Sequence, residues 1–221
     1  MPFLIVDQLS KKYPNDNTNA LKGISFSMLK GEIVAVVGPS GCGKSTLLNL
    51  IGYLDLPTSG KILVNGKPVG DYGPAHTFRS KMVGFVFQYH HMVSGMTLAE
   101  NVAAPLIAQG VGKLERRRRA LEHLENVGLG HRAHFLPNLV SGGERQRAAV
   151  ARALITSPSI ILADEPTGNL DSSAGEAVFK LMLAQSRLNG STVIIATHNL
   201  AIAAMADRII QMRDGELISP A

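Results

Sequence analysis

Short apolar runs separated by helix-forming segments are the dominant pattern along this chain. Several runs are rich in β-branched residues and have the length of buried strands: Glu32–Val37, Val83–Phe87, Ile160–Asp164, Thr192–Ala196 and Arg208–Met212. Leu4–Leu9 and Ile24–Met28 contain more polar positions, which is typical of half-exposed antiparallel strands. Because the strands are interleaved with helical segments, the pattern predicts an α/β fold with a mainly parallel sheet and an N-terminal antiparallel part.

The segment from Gln88 to Ser141 has helical patterning and no strong strand signal, and it includes a predicted helix over Lys113–Val127. A length of 221 residues can bury a large core, so we predict a single domain over residues 1–221. Its core would comprise about residues 1–88 and 151–221, with a helical lobe inserted at about residues 89–150.

The net charge of +5 and the isoelectric point near 9.5 suit nucleic acid, an anionic membrane surface or a phosphorylated ligand. Bulk charge therefore does not choose between these partners. The densest basic run is Arg116–Arg119, and four consecutive residues spread around a helix instead of forming one stripe. A solvated helix face is favoured over a lipid contact or a nucleic-acid patch, and no nucleic-acid partner is predicted.

Cysteine use and the N-terminal segment both bear on the compartment. Cys42 is the single cysteine, which rules out an internal disulfide and favours a reducing compartment. Residues Met1–Lys12 lack the pattern of a signal peptide, and no apolar run approaches the ~18–20 residues that span a bilayer. We expect a cytoplasmic chain whose membrane partners, if it has any, are other subunits.

A glycine-rich run, GPSGCGKS at residues 38–45, follows one predicted strand and precedes a helical segment over Ser45–Gly52. This pattern wraps phosphates in backbone amides, and the helix adds the positive end of its dipole. Lys44 is predicted to bridge the β- and γ-phosphates and Ser45 to place its hydroxyl on Mg²⁺, whereas Cys42 is a small filler without chemistry of its own. The predicted phosphate-binding residues are Gly38, Pro39, Ser40, Gly41, Cys42, Gly43, Lys44, Ser45 and Thr46.

An acidic pair ends another buried strand. The apolar run Ile160–Asp164 delivers Asp164 to the end of the strand, where it is predicted to bind the same Mg²⁺. Glu165 follows directly and is predicted to act on the water that attacks the γ-phosphate, as a general base or a polarising group. An exposed carboxylate without chemistry is the alternative, and the position after an apolar strand and before Pro166 favours the catalytic role.

A second glycine-rich turn, VSGGERQR at residues 140–147, opens a basic helix. With the phosphate loop and the acidic pair in the same order, it makes nearly the whole chain resemble the ABC transporter ATPases. The resemblance implies that Ser141, Gly142, Gly143 and Glu144 contact ATP held by the other subunit of a head-to-tail dimer. The family usually has leucine where this chain has Val140, a difference expected to alter packing and not phosphate contact.

Four other positions match the family's pattern, although each alone would be read as an ordinary surface or capping residue. The resemblance implies that Tyr13 stacks on adenine and that His198 senses the γ-phosphate. It also implies that Gln88 joins Ser45 and Asp164 at Mg²⁺ and links that site to a transmembrane partner. Asp171 would lie in the loop that crosses the dimer interface. The implied catalytic residues are Glu165, His198 and Gln88, with ATP and Mg²⁺ as cofactors.

Within the family, the runs DEPTGNLD at 164–171 and SGGERQR at 141–147 resemble the branch of lipoprotein-releasing (LolD), macrolide-exporting (MacB) and division-linked (FtsE) ATPases. The runs FQYHH at 87–91, HRA at 131–133 and MRDGEL at 212–217 are most similar to the lipoprotein-releasing type. The chain differs from that type at Tyr53, Met92-Val93 and Ser94. These differences leave the ATP site untouched, so they bear on which cargo is moved and not on the reaction. His90 and His91 lack a third ligand at fixed spacing, so no metal is predicted there.

The resemblance implies a peripheral subunit on the cytoplasmic face of the inner membrane that drives two integral-membrane permease subunits or a heterodimer of them. Lipoprotein release is the first expectation. A macrolide, peptide or haem exporter and a mechanical signalling ATPase without transport remain alternatives. The segment Gln88–Val102 is predicted to meet the membrane partner, because residues Tyr89 to Met92 combine apolar area with polar tips, and a mobile surface loop is the alternative.

Overall fold

The computed structural model describes residues 1–14 and 18–218 and has an α/β fold, which confirms the predicted fold class. The chain forms two compact units. The first comprises Met1–Arg79, Leu162–Asp164 and Thr192–Ala221, and the second comprises Ser80–Ile161 and Glu165–Ser191. The division into a core and an inserted lobe at residues 89–150 stays a prediction.

An antiparallel sheet in the first unit has the order β2-β1-β4-β5. Strand β1 spans Leu4–Tyr13 and pairs with β2, Thr18–Met28, so that Leu4 lies opposite Met28. Both strands extend beyond the predicted segments. The strands β4 and β5, Ser59–Val64 and Lys67–Pro68, were absent from the sequence prediction. Only the last part of β4 is apolar, so a periodicity argument misses it.

The second sheet of this unit has the order β10-β9-β3-β8-β7. Its strands are β3 Ile33–Val37, β7 Ile160–Asp164, β8 Thr192–Thr197, β9 Arg208–Arg213 and β10 Glu216–Leu217, with β7 belonging to this unit from Leu162 onward. Strand β3 is buried at every position and is parallel to both β8 and β9, with Val37 opposite Thr197. The residues that follow β3 and β8 therefore emerge at one edge of the sheet.

Two helices of the first unit follow these strands directly. Helix α1, Lys44–Ile51, begins after the glycine-rich loop that leaves β3, and α8, Leu200–Ala203, begins shortly after β8. The predicted helical segment over Ser45–Gly52 differs from α1 by one residue at each end. Helix α2, Ala75–Met82, leads from this unit toward the second one along the chain.

The second unit is mostly helical and contains strand β6, Val83–Phe87, together with Ile160 and Ile161 at the start of β7. Its helices are α3 Leu98–Ala103, α4 Pro105–Ala108, α5 Lys113–Asn126, α6 Gly142–Leu154 and α7 Ser172–Leu188. Short 3₁₀ turns at Gly130–Arg132 and Pro137–Leu139 connect α5 to α6. An apolar cluster that includes Leu98, Leu124 and Val140 packs α3, α5 and the start of α6 together. Val140 is thus a packing residue.

The basic run on α5 is only partly solvated, which corrects the expectation of a uniform solvated face. Arg118 is exposed and pairs with Glu115 at 2.8 Å. Arg116 and Arg119 instead donate to the carbonyl oxygens of Val111 at 2.6 Å and Ile155 at 3.0 Å. Because two of the guanidinium groups cap backbone carbonyls, the run contributes to the packing of α5. Over the described part of the chain, no helix is long and apolar enough to span a bilayer.

Candidate functional site

The phosphate loop is shaped by close backbone contacts. Gly43 precedes α1 with φ 104°, in the left-handed region that favours glycine. A Cβ there would overlap the carbonyl oxygen of Ala20 and approach Met212 Cε to 2.8 Å, so no other residue fits. The first N–H groups of α1 have no carbonyl partner within the helix, which is what an anion site requires.

The Lys44 side chain lies inside this loop and is 7% exposed. Its Nζ donates to the carbonyl oxygens of Gly38 at 2.8 Å and Pro39 at 3.0 Å. Cys42 is buried beside it, with Sγ 4.0 Å from Nζ, and it packs in the loop as predicted. An ammonium held at this position can reach a phosphate bound against the loop.

A cavity of about 530 Å³ opens in front of the loop. Its walls include Gly41, Gly43, Lys44, Ser45 and Thr46, which were predicted, together with Asn19, Ala20, Lys22, Asp214 and Gly215. Lys22 was missed because it lies on β2, in no recognisable motif. Lys22, which also pairs with Glu216 at 3.6 Å, and Lys44 line this space beside a helix N-terminus, and Asp214 adds one carboxylate. The cations and the helix N-terminus fit the phosphates of a nucleotide.

The residues predicted to bind Mg²⁺ in this unit have the oxygen donors that this ion prefers. Ser45 is exposed at the cavity wall, and Asp164 is the last residue of β7. Within residues 1–14 and 18–218 no group of three or more His, Cys, Asp or Glu side chains could hold a metal by itself. Mg²⁺ in nucleotide sites is bound by one or two side chains plus phosphate oxygens and water, so the donors fit it.

His198 follows β8 and lies next to the phosphate loop. It lines a second cavity of about 380 Å³ together with Val37, Gly38 and Pro39. The parallel pairing of β3 and β8 produces this proximity, because Val37 and Thr197 are register partners. The side chain of His198 is exposed at this edge. A histidine here is well placed to contact a phosphate bound by the loop.

Glu165 has an unusual backbone. It follows Asp164 with φ 45°, which is uncommon for a residue with a side chain and is enriched at functional sites. Its carbonyl oxygen accepts the N–H of Gly168 at 3.0 Å, so the turn after β7 is closed by its own hydrogen bond. The structure therefore holds the Glu165 backbone in one conformation directly after the last residue of the strand.

Tyr13, the predicted adenine-stacking residue, belongs to a polar cluster. Its hydroxyl donates to Asp55 at 3.0 Å, and Lys11 Nζ lies 4.9 Å from the ring centroid and 2.7 Å from Asp55. One face of the ring is thus covered by an ammonium group. Within the described residues, Tyr13 does not line the cavity at the phosphate loop, and adenine stacking stays a prediction.

Acid should weaken this cluster. Partial burial raises the pKa of Asp55, but hydrogen bonds from Lys11, Leu56 and Tyr13 outweigh it and hold the pKa below its ordinary value. A lowered folded-state pKa stabilises the protein above about pH 4 to 5, and the contribution is lost as the pH falls through it. Asp55→Asn should therefore cost about 1 kcal/mol near neutral pH and progressively less as the pH falls below about 4. Thermal melts across this range test it, and a pH-independent difference would contradict it.

Gln88 leaves β6 in the second unit and is held by Asn169. Its Nε2 donates to Asn169 Oδ1 at 3.2 Å, and Asn169 Nδ2 donates to the Gln88 carbonyl oxygen at 3.0 Å. Gln146 of α6 donates to the carbonyl oxygen of Phe87 at 3.3 Å. Sequence reasoning singled out Gln88 but not Asn169, which only the fold brings close.

The second glycine-rich turn starts α6 in the same unit. Ser141 is the N-cap: its hydroxyl accepts the N–H of Glu144 at 3.2 Å, and the Glu144 carboxylate accepts the N–H of Ser141 at 2.8 Å. That backbone hydrogen bond lowers the pKa of Glu144. Open space surrounds Gly143. A helix of 13 residues begins here with two glycines, so its N-terminal amides can bind an anion that approaches from outside.

Asp171 caps α7. Its carboxylate accepts the N–H of Ala174 at 2.9 Å and the hydroxyl of Ser173 at 2.8 Å. The bond from Ala174 lowers the pKa of Asp171. The side chain is exposed but already engaged, so it fixes the start of α7 and the direction of the loop before it.

The segment Gln88–Val102, which was predicted to meet the membrane partner, contains both exposed and buried residues. Tyr89 is 72% exposed and Val93 is 52% exposed. His90 is 7% exposed, so the expectation that it presents itself to a partner is wrong, whereas Met92 is half-buried against the apolar cluster. Both His90 and His91 have positive φ angles, yet His90 is buried and His91 is exposed. Arg152 donates to the carbonyl oxygens of both.

Known proteins resemble this chain over almost its full length. The family described as ABC transporter matches residues 21–168. The ATP-binding cassette MJ0796, solved as a dimer in a post-hydrolysis state bound to ADP and Pi, is 39% identical, with a TM-score of 0.88, and the match covers 98% of this chain and 97% of that chain. A second dimeric MJ0796 structure, described as a bacterial ABC transporter cassette, gives the same values. CbiO1 from Clostridium perfringens, part of the transporter complex cbiONQ, is 31% identical, with a TM-score of 0.88 over 99% of this chain and 87% of that chain.

Proposed function

The chain belongs to the ABC transporter family of ATP-hydrolysing cassettes, and from that premise we propose that it dimerises head to tail on ATP to drive a membrane partner. The observation that carries the proposal is the N-terminus of α6 at Gly142 and Gly143, whose backbone N–H groups can bind an anion outside the phosphate loop. MJ0796, which is similar along its whole length, was solved as a dimer with ADP and Pi.

In the proposed reaction, the phosphate loop binds ATP while Lys44 neutralises the β- and γ-phosphates. Ser45, Asp164 and Gln88 would hold Mg²⁺, which would supply positive charge to offset the negative charge of the transferred phosphoryl group. Glu165 orients and polarises the attacking water, and His198 donates to the γ-phosphate. Positioning and electrostatics supply most of the catalysis in phosphoryl transfer, and these residues perform both.

The second copy of the chain completes each site in this proposal. The Ser141-Gly142-Gly143 turn of one subunit binds the γ-phosphate of ATP held by the other, and the loop ending at Asp171 crosses between the subunits. ATP then stabilises the dimer, and loss of the γ-phosphate weakens it. The chain alone would bind nucleotide but hydrolyse it slowly, because half of each site is missing.

Integral-membrane permease subunits are the proposed partners, which places the chain at the cytoplasmic face of the inner membrane. Exposed apolar residues after Gln88 support this docking role, since Tyr89, Val93 and Met96 each offer apolar area that a partner can bury. We name residues 89–96 the docking segment.

The double variant Tyr89→Ser, Val93→Ser should bind its permease at least about tenfold more weakly, since two exposed apolar contacts are lost. ATPase activity of the isolated subunit should stay near the native value. Copurification and permease-stimulated turnover are the measurements. The matched control is Leu188→Ser, an equally exposed apolar residue on α7. Native stimulation in the double variant would show that the docking segment is not the coupling surface.

For the transported cargo, the proposal is release of lipoproteins from the inner membrane. The runs FQYHH at 87–91 and MRDGEL at 212–217 support it. Met92-Val93 and Ser94 depart from that type and favour the alternatives of macrolide, peptide or haem export, or mechanical signalling without transport. ATPase of the reconstituted complex with a triacylated lipoprotein, a macrolide and no cargo separates these functions. Stimulation by lipoprotein alone supports the first proposal, and stimulation by the macrolide alone overturns it.

A further inference from the structure

The amide of Gln88 is held in one orientation by a reciprocal pair of hydrogen bonds. Gln88 Nε2 donates to Asn169 Oδ1 at 3.2 Å, while Asn169 Nδ2 donates to the Gln88 carbonyl oxygen at 3.0 Å. One asparagine thus binds both the side chain and the main chain of the same residue. Because the Nε2 group faces Asn169, the Oε1 atom of Gln88 is left as its acceptor on the other side.

Gln88 and the backbone of Gly168 are in close contact. A Cβ at Gly168 would lie 2.8 Å from Gln88 Nε2 and 3.1 Å from Cδ, so a side chain at residue 168 would displace the amide. Glycine at this position lets the backbone before Asn169 pass against the glutamine. The pairing therefore depends on two adjacent residues of the GNLD run and not on asparagine alone.

Asn169 itself lies on a fixed turn. The Gly168 N–H donates to the Glu165 carbonyl oxygen at 3.0 Å, and the Leu170 N–H donates to the Thr167 carbonyl oxygen at 3.1 Å. Asp171 then caps α7 through the N–H of Ala174 at 2.9 Å. The turn that carries Glu165 is thus connected to Gln88 through Asn169, and the two segments are constrained together.

We propose that Asn169 is a positioning residue for Gln88, orienting its Oε1 atom for the metal and water. The proposal rests on the role given to Gln88 under the proposed function. It assigns Asn169 no contact with ATP or the reacting atoms. Losing Asn169 would free the amide to rotate, so that a fraction of molecules would present Nε2, which cannot bind a cation.

The test compares Asn169→Ala with the native chain in ATPase assays over a range of Mg²⁺ concentrations at saturating ATP. The Mg²⁺ concentration for half-maximal rate should rise about fivefold, the factor expected for one lost hydrogen bond. In a Gln88→Ala background the same change should have no further effect, because the two residues act through one amide. The matched control is Asn189→Ala, an exposed asparagine at the other end of α7.

A second measurement does not depend on hydrolysis. Deuterium uptake by the peptide spanning residues 84–92 should increase in nucleotide-free Asn169→Ala and stay native in the Asn189→Ala control. Asn169→Asp keeps the acceptor for Gln88 Nε2 but loses the donor to the Gln88 carbonyl oxygen, so its Mg²⁺ dependence should lie between those of the native chain and Asn169→Ala. An unchanged Mg²⁺ requirement in Asn169→Ala, or an equal shift in the Gln88→Ala background, overturns the proposal. Absence of any Mg²⁺-dependent phosphate release by the native chain would instead overturn the proposed function.

Discussion

Glu165→Gln should lower the rate of phosphate release by at least about a hundredfold, which is the lower range for losing a general base. The amide has the shape of the carboxylate but cannot accept a proton or polarise water equally well. ATP binding should survive, because the phosphate loop and Lys44 lie outside the substitution. Since the γ-phosphate is retained, the variant should accumulate as an ATP-bound dimer.

The measurements are phosphate release and the molar mass in solution with and without ATP. Glu176→Gln is the matched control, because Glu176 is an exposed carboxylate on α7 that pairs with Lys180 one helical turn away. That control should keep native turnover. Turnover in Glu165→Gln within a few-fold of native would remove Glu165 from the catalytic role.

Ser141→Arg should abolish ATP-dependent dimerisation and reduce hydrolysis to the background of the assay. The substitution puts a long cation where the γ-phosphate of the other subunit is proposed to bind, and it crowds the open space beside Gly143. Nucleotide binding by the single chain should persist, because the phosphate loop is unchanged. Equilibrium binding of a fluorescent ATP analogue and molar mass with ATP measure the two effects separately.

Loss of a helix cap must be separated from loss of the phosphate contact. Ser141 caps α6 through a capping box, and removing such a cap costs about 1 kcal/mol. Thr97→Arg is the matched control, because Thr97 caps α3 with the same arrangement and its Glu100 partner. Dimerisation should survive in Thr97→Arg and fail in Ser141→Arg. Equal loss in both variants would attribute the effect to helix stability.

The phosphate loop could be predicted because its chemistry is local. Five consecutive apolar residues in β3, the glycine spacing and the Lys44-Ser45 pair lie within one short stretch, and the chain itself places them on a strand, a loop and a helix. Strands β6 and β7 coincide with the predicted segments Val83–Phe87 and Ile160–Asp164, because uninterrupted apolar runs carry enough signal.

Contacts between distant segments could not be predicted in the same way. Lys22 reaches the cavity at the phosphate loop from β2, and Asn169 meets Gln88 across 81 positions of sequence. Neither Lys22 nor Asn169 lies in a local sequence pattern that indicates its contact. The burial of His90, whose φ angle is 59°, likewise has no counterpart in the sequence pattern. Tertiary packing determines the contacts of these residues, and the periodicity of the sequence does not indicate them.

Mixing two inactive variants tests the composite site most directly. Lys44→Ala lacks a phosphate-loop ammonium but keeps an intact Ser141 turn, and Ser141→Arg has the opposite defect. In a heterodimer, the intact loop of one chain and the intact turn of the other meet in one site of two. Differently tagged chains, purified together in tandem, should therefore hydrolyse ATP at up to about half the native rate per dimer while each variant alone is inactive. Folded heterodimers that hydrolyse no ATP at any mixing ratio would contradict the head-to-tail account.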